Sequence, residues 1–73
     1  MSESIMPAEA AALLVASLER RGAVFVLDDE GYLRADLNGI PGLDYKRAER
    51  LSHAILSLHD DIKAMLHARR VQH

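Results

Sequence analysis

Apolar residues recur along the chain in two rhythms. Between Pro7 and Arg21, Leu13, Leu14 and Leu18 form a stripe at helical spacing, broadened by Met6, Ala10 and Ala11, which predicts an amphipathic helix over 7–21. Pro7 suits the first helical position because its missing N–H would be unpaired there; Glu9 complements the positive helix end, and Arg20-Arg21-Gly22 supplies cations and a left-handed stop. The alanines at 8, 10, 11, 12 and 16 favour the helix and also let another backbone approach closely. Then the period shortens to two. Ala23-Val-Phe-Val-Leu27 and Tyr32-Leu-Arg-Ala-Asp-Leu37 flank Asp28-Asp-Glu-Gly31, which predicts a β-hairpin over 23–37 closed by a type I turn with Gly31 in a left-handed G1 bulge. Such a turn opposes Asp28 with Tyr32. Leu27 then faces Leu33, Phe25 faces Ala35 and Ala23 faces Leu37, so six apolar residues share one side of the sheet. The other side shows Val24, Val26, Tyr32, Arg34 and Asp36, more apolar than a solvated face requires.

Asn38-Gly39-Ile40-Pro41-Gly42 reads as a turn-rich connection, and Asp44 as the N-cap of a further helix, with Leu43 and Ala48 spaced as a hydrophobic staple. From Ala48 the apolar positions Leu51, Ile55, Leu58, Ile62 and Met65 follow an unbroken a/d seam, reinforced by Leu66. A single helix over 44–70 would be about 40 Å long, whereas a globular chain of this length has a radius of gyration of about 11 Å. Either the overhanging seam packs on a second copy, or the helix breaks near Ser57-Leu-His-Asp60, whose S-x-x-D spacing matches a capping box. The uninterrupted a/d phase favours a continuous or merely bent helix. The expected class is α+β, with the order helix, two-stranded antiparallel hairpin, then one long or two consecutive helices (αββα or αββαα).

The 73 residues suffice for one interaction domain, 1–73, with 1–6 as a flexible N-terminus. A domain this small buries only roughly 60% of the surface its unfolded chain exposes, and no cysteine is present to staple it. Self-association or a partner is the expected source of further buried surface. The net charge of −2 argues against general affinity for nucleic acid or anionic lipid. The charge is divided: residues 1–43 are net acidic and residues 44–73 net basic. No apolar run is long enough to span a membrane, and Met-Ser-Glu-Ser lacks the basic start of a secretory signal, so a cytoplasmic location is the expectation.

The segment from Leu13 to Leu37, a Leu-rich helix ending in Arg-Gly followed by a short hairpin with an acidic Gly turn and the Leu33-Arg34 pair in its second strand, resembles the tubulysin-type N-terminal docking domains of nonribosomal peptide and polyketide synthase subunits. Leu58-His-Asp-Asp-Ile-Lys-Ala-Met-Leu66 is similar to their closing helix, and the two matches cover about half of the chain. The resemblance implies a helix, a hairpin and two helices, usually dimeric, with the hairpin receiving a short acidic C-terminal peptide of another subunit as an added strand. Arg34 would then match a ligand-facing basic residue, flanked by Tyr32 and Asp36. Where the family has basic residues around the hairpin, this chain has Asp28, Asp29, Glu30 and Asp36, which would repel an acidic tail.

Candidate chemistry is sparse. His53, His59, His67 and His73 are spaced six, eight and six apart, whereas two rings share a helix face only at three or four, so no metal site is expected. Asp28-Asp29-Glu30 fits turn chemistry and Asp60-Asp61 a solvated helix start, neither offering the cleft that acid–base catalysis needs. No serine stands in a nucleophile elbow, and no glycine pattern would cradle phosphates. Lys46-Arg47, Arg50 and Arg69-Arg70 read as solvated or protein-contacting helix faces. The sequence thus predicts a non-enzymatic protein–protein interaction module without cofactors. Val24, Val26, Tyr32, Arg34 and Asp36 bind a peptide or protein face, and Leu51, Ile55, Leu58, Ile62 and Met65 form the core or homodimer seam. The alternatives are a free-standing inhibitor or adaptor, of the type mobile elements encode, that binds a larger complex, and, less favoured by charge and by only three aromatic residues, a small nucleic-acid-binding regulator.

Overall fold

The first helix, α1 (Pro7–Arg21), starts with Pro7 in its first turn and ends on Gly22, whose φ of 121° lets the chain turn off the helix. There the N–H of Ala23 donates to the Leu18 carbonyl at 3.0 Å and that of Gly22 to Glu19 at 3.1 Å, a Schellman-type closure. Strands β1 (Val24–Leu27) and β2 (Leu33–Asp36) follow as an antiparallel pair. They lead through a turn-rich loop to α2 (Tyr45–Ser57) and α3 (His59–Val71), giving the order αββαα. The computed structural model describes residues 6–71. The expected flexible stretch 1–6 lies outside them apart from Met6, which is exposed.

The hairpin adopts the register that its turn dictates. Leu27 pairs with Leu33, Phe25 with Ala35, Val26 with Arg34 and Val24 with Asp36. Asp28 donates its N–H to Tyr32 and accepts from Gly31, both at 2.9 Å, and Gly31 has a φ of 86°, as a type I turn with a G1 bulge requires.

The core forms where α1, α3 and the inner side of β1 meet. Ala11, Val15, Leu18, Ala23, Phe25, Ile40, Ile55, Ile62 and Leu66 are its buried members, Val15 and Ile62 being the largest that are wholly enclosed. Three expectations are corrected here. The buried stripe of α1 runs through Ala11, Val15 and Leu18, and Leu14 is half-buried, while Leu13 (61% exposed) and Met6 point outward. The small Ala11 is fully buried, on a helix that packs against α3. On the inner side of the hairpin Ala35 is exposed and Leu27, Leu33 and Leu37 are only half-buried, because the helices lie over β1 more than over β2.

The third correction concerns the long helix. Of the two alternatives, the chain takes the second: it leaves α-geometry at Leu58 (φ −109°, ψ 18°), and α2 and α3 are separate helices. The S-x-x-D box does not form, since the Ser57 hydroxyl instead donates back to the His53 carbonyl at 2.9 Å, a bond that favours helix bending. The Leu58 N–H still reaches the Ala54 and Ile55 carbonyls at 3.2 Å, and the Leu58 carbonyl accepts from Ile62. The a/d phase therefore passes through the break. At the other end of α2 the Asp44 side chain accepts from the Arg47 N–H at 2.8 Å, the expected N-cap. The described residues measure 40 × 34 × 19 Å with a radius of gyration of 12.7 Å, flatter than a sphere, and α2 packs on α3.

Candidate protein interface

Alternation along the paired strands sends Val24 and Val26 to one side of the sheet with Tyr32, Arg34 and Asp36. All five are exposed, the valines and the tyrosine by 53%, 48% and 60%. The candidate partner-binding residues therefore share one solvent-facing surface. Its polar members are already engaged within the hairpin. Asp28 accepts the Glu30 and Tyr32 N–H groups on Oδ1, both at 2.9 Å, and the Arg34 Nε–H on Oδ2 at 3.2 Å. The Tyr32 amide bond first, then those from Glu30 and Arg34 outweigh desolvation and hold the Asp28 carboxyl below its usual value. Asp36 accepts from the Asn38 N–H at 2.9 Å, ending β2 with an Asx turn. What the face offers a partner is thus the apolar surface of Val24, Val26 and Tyr32, framed by a pre-ordered arginine.

The edges of the hairpin add a second element. Because Asp28 and Tyr32 form a hydrogen-bonded pair, alternation makes Val26–Arg34 and Val24–Asp36 the bonded pairs of the ladder. The N–H and C=O groups of Phe25 and Leu27 then point away from β2, to the free edge of β1. Beside Phe25, Val26 and Leu27 runs an open groove of about 300 Å³ whose far wall is Leu66, Arg69 and Arg70 of α3. Sequence reasoning read Arg69-Arg70 as a solvated or protein-contacting helix face and did not place them opposite β1. Arg69 is fixed by a two-pronged bond to Glu19 of α1 at 3.0 and 3.1 Å, which raises its already high pKa. An exposed pair of this kind contributes at most about 1 kcal/mol, but it sets where the groove wall stands.

The seam residues divide. Ile55 and Ile62 are buried within the single chain, and Leu51, Leu58 and Met65 are half-buried against its core. The large apolar side chains that stay outside on the helices are Leu13 of α1, Tyr45 and Leu56 of α2 and Val71 of α3. His53 and His67 are exposed and His59 half-exposed, with a 3.5 Å contact from its Nδ1 to Asp60; His73 lies outside the described residues. Among the described residues no three His, Asp or Glu side chains gather as a metal site would need. No described helix is long and apolar enough to cross a membrane.

These features define a small mixed α+β domain of αββαα order with an apolar hairpin face and an open strand edge. Comparison with family models, with curated proteins and with solved structures finds no match.

Proposed function

We propose that the chain is a non-catalytic interaction module of the docking-domain kind, acting in the cytoplasm, which binds a short peptide or protein face through its hairpin and pairs with a second copy through its helices. The observation that carries the reading is the combination at β1. Unpaired backbone groups of Phe25 and Leu27 line a groove, and Val24 and Val26, half-exposed, stand on the adjoining face. A strand added there would satisfy the edge and cover the valines together. Self-association falls to Leu13 and Leu56, because Ile55 and Ile62 are already core.

Peptides selected from a displayed random library against the whole chain, followed by backbone amide shift mapping, test this. The expected shifts concentrate on residues 24–27 and 32–36. Val26→Glu should weaken the selected peptides at least tenfold while moving the urea midpoint little, since Val26 is 48% exposed. Shifts spread along α2, or a large loss of stability in Val26→Glu, would overturn the hairpin as the binding element.

A further inference from the structure

A further concavity lies away from the hairpin and reaches the seam only at Leu51. It is an open groove of about 790 Å³ between the end of α1, the loop before α2 and the first half of α2. Three arginines from two helices line it, Arg21, Arg47 and Arg50, over apolar walls that include Ile40, Leu43 and Leu51. All three arginines are exposed, and among the described residues no carboxylate lies within ion-pair distance of any of them. Arg47 also sits in the first turn of α2, which holds no acidic residue. The Asp44 carboxylate caps that end by accepting from the Arg47 N–H, and the exposed Arg47 side chain makes no ion pair among the described residues.

We propose that this groove is a second docking site, independent of the hairpin, for an acidic segment of another protein in which Asp or Glu residues flank a bulky apolar side chain. The apolar side chain lies against Ile40, Leu43 and Leu51, and the carboxylates meet the guanidinium groups, whose planar forks suit paired oxygens. The volume suits such an anchor, falling within the usual range for ligand sites. The apolar walls, Ile40, Leu43 and Leu51, favour a peptide with an apolar anchor over a phosphate backbone.

Fluorescence anisotropy on the whole chain with three labelled nonapeptides tests the assignment: one with two leucines flanked by glutamates, the same peptide with glutamines, and nonaglutamate. The leucine–glutamate peptide should bind most tightly, weaken with added salt, and lose at least tenfold in affinity with Arg47→Gln/Arg50→Gln, variants at exposed positions that keep the thermal melt. Its amide shifts should fall on residues 40–51. Val26→Glu should leave this binding unchanged, which separates the groove from the hairpin site. Equal binding of the glutamine peptide, insensitivity to the arginine variants, or tighter arginine-dependent binding of a random DNA duplex would overturn the proposal.

Discussion

A Cβ on Gly22 would overlap the carbonyl oxygen of Gly39, and one on Gly39 the carbonyl of Gly22. The two glycines thus hold the end of α1 against the loop that leads to α2, and they support the floor of the arginine groove through neighbouring Ile40. Gly31 shares the positive φ of Gly22 but has open space around it. Alanine at 31 should therefore cost about 1 kcal/mol for the left-handed backbone alone, and alanine at 22 about 2–4 kcal/mol because backbone must also move. Gly39→Ala isolates the overlap, and urea denaturation of the three variants gives the order. Asp28 is the other residue on which local geometry turns. Its folded carboxyl lies below the usual value, so its contribution is present above the unfolded pKa of about 3.9 and is lost as pH falls through the lower folded value. Carbon-detected titration of Asp28 should show a midpoint below that of an unstructured aspartate, and the Glu30 and Tyr32 amides should begin to exchange faster as it protonates. A midpoint no lower than that of an unstructured aspartate would mean that those amides do not close the turn.

At the scale of elements, the hairpin was the most legible part. Turn and register depend on residues within a few positions, and Asp28 with Gly31 specifies both, so Phe25 against Ala35 follows from chemistry alone. Helix faces depend on what packs against them. On α1 the leucines at 13, 14 and 18 outweigh Ala11 and Val15 in a count of apolar residues, yet Ala11, Val15 and Leu18 are the buried ones and Leu13 is turned out, on a helix that packs against α3. Ile62→Ala should accordingly cost about 3 kcal/mol, as truncation of a wholly buried aliphatic does, and Leu13→Ala less than about 0.5 kcal/mol. Similar losses at the two positions in chemical denaturation would contradict the packing described. The break at Leu58 was hidden for a different reason. Because a single residue departs from α-geometry and both flanking hydrogen bonds persist, the chain bends without an insertion, and the heptad phase carries no trace of it. The face of Val24, Val26, Tyr32, Arg34 and Asp36 was legible from alternation, but the wall of Leu66, Arg69 and Arg70, and the meeting of Arg21 with Arg47 and Arg50, arise only when distant segments fold together.

For the molecule as a whole, the bend changes where hydrophobic surface is left over. A continuous helix would have carried the seam beyond the domain and offered it to a second copy. The bent chain instead spends Ile55 and Ile62 on its own core, and its surplus lies in separate places: Leu13 on α1, Tyr45 and Leu56 on α2, and the hairpin valines. In a body only 19 Å through its thinnest dimension, such surfaces lie near the core, and covering them adds stability by mass action. If the helices pair two copies as proposed, the thermal midpoint should rise with protein concentration, and sedimentation should show a dimer dissociating on dilution. Leu56→Glu, at a position 69% exposed, should then give a folded monomer whose midpoint no longer depends on concentration, with Leu13→Glu acting alike if both helices contribute. Ile55→Asp should behave differently, unfolding the chain outright because the charge enters the core. A wild-type midpoint that is flat from micromolar to millimolar concentration would exclude the dimer while leaving the hairpin face and its β1 edge free for a different polypeptide.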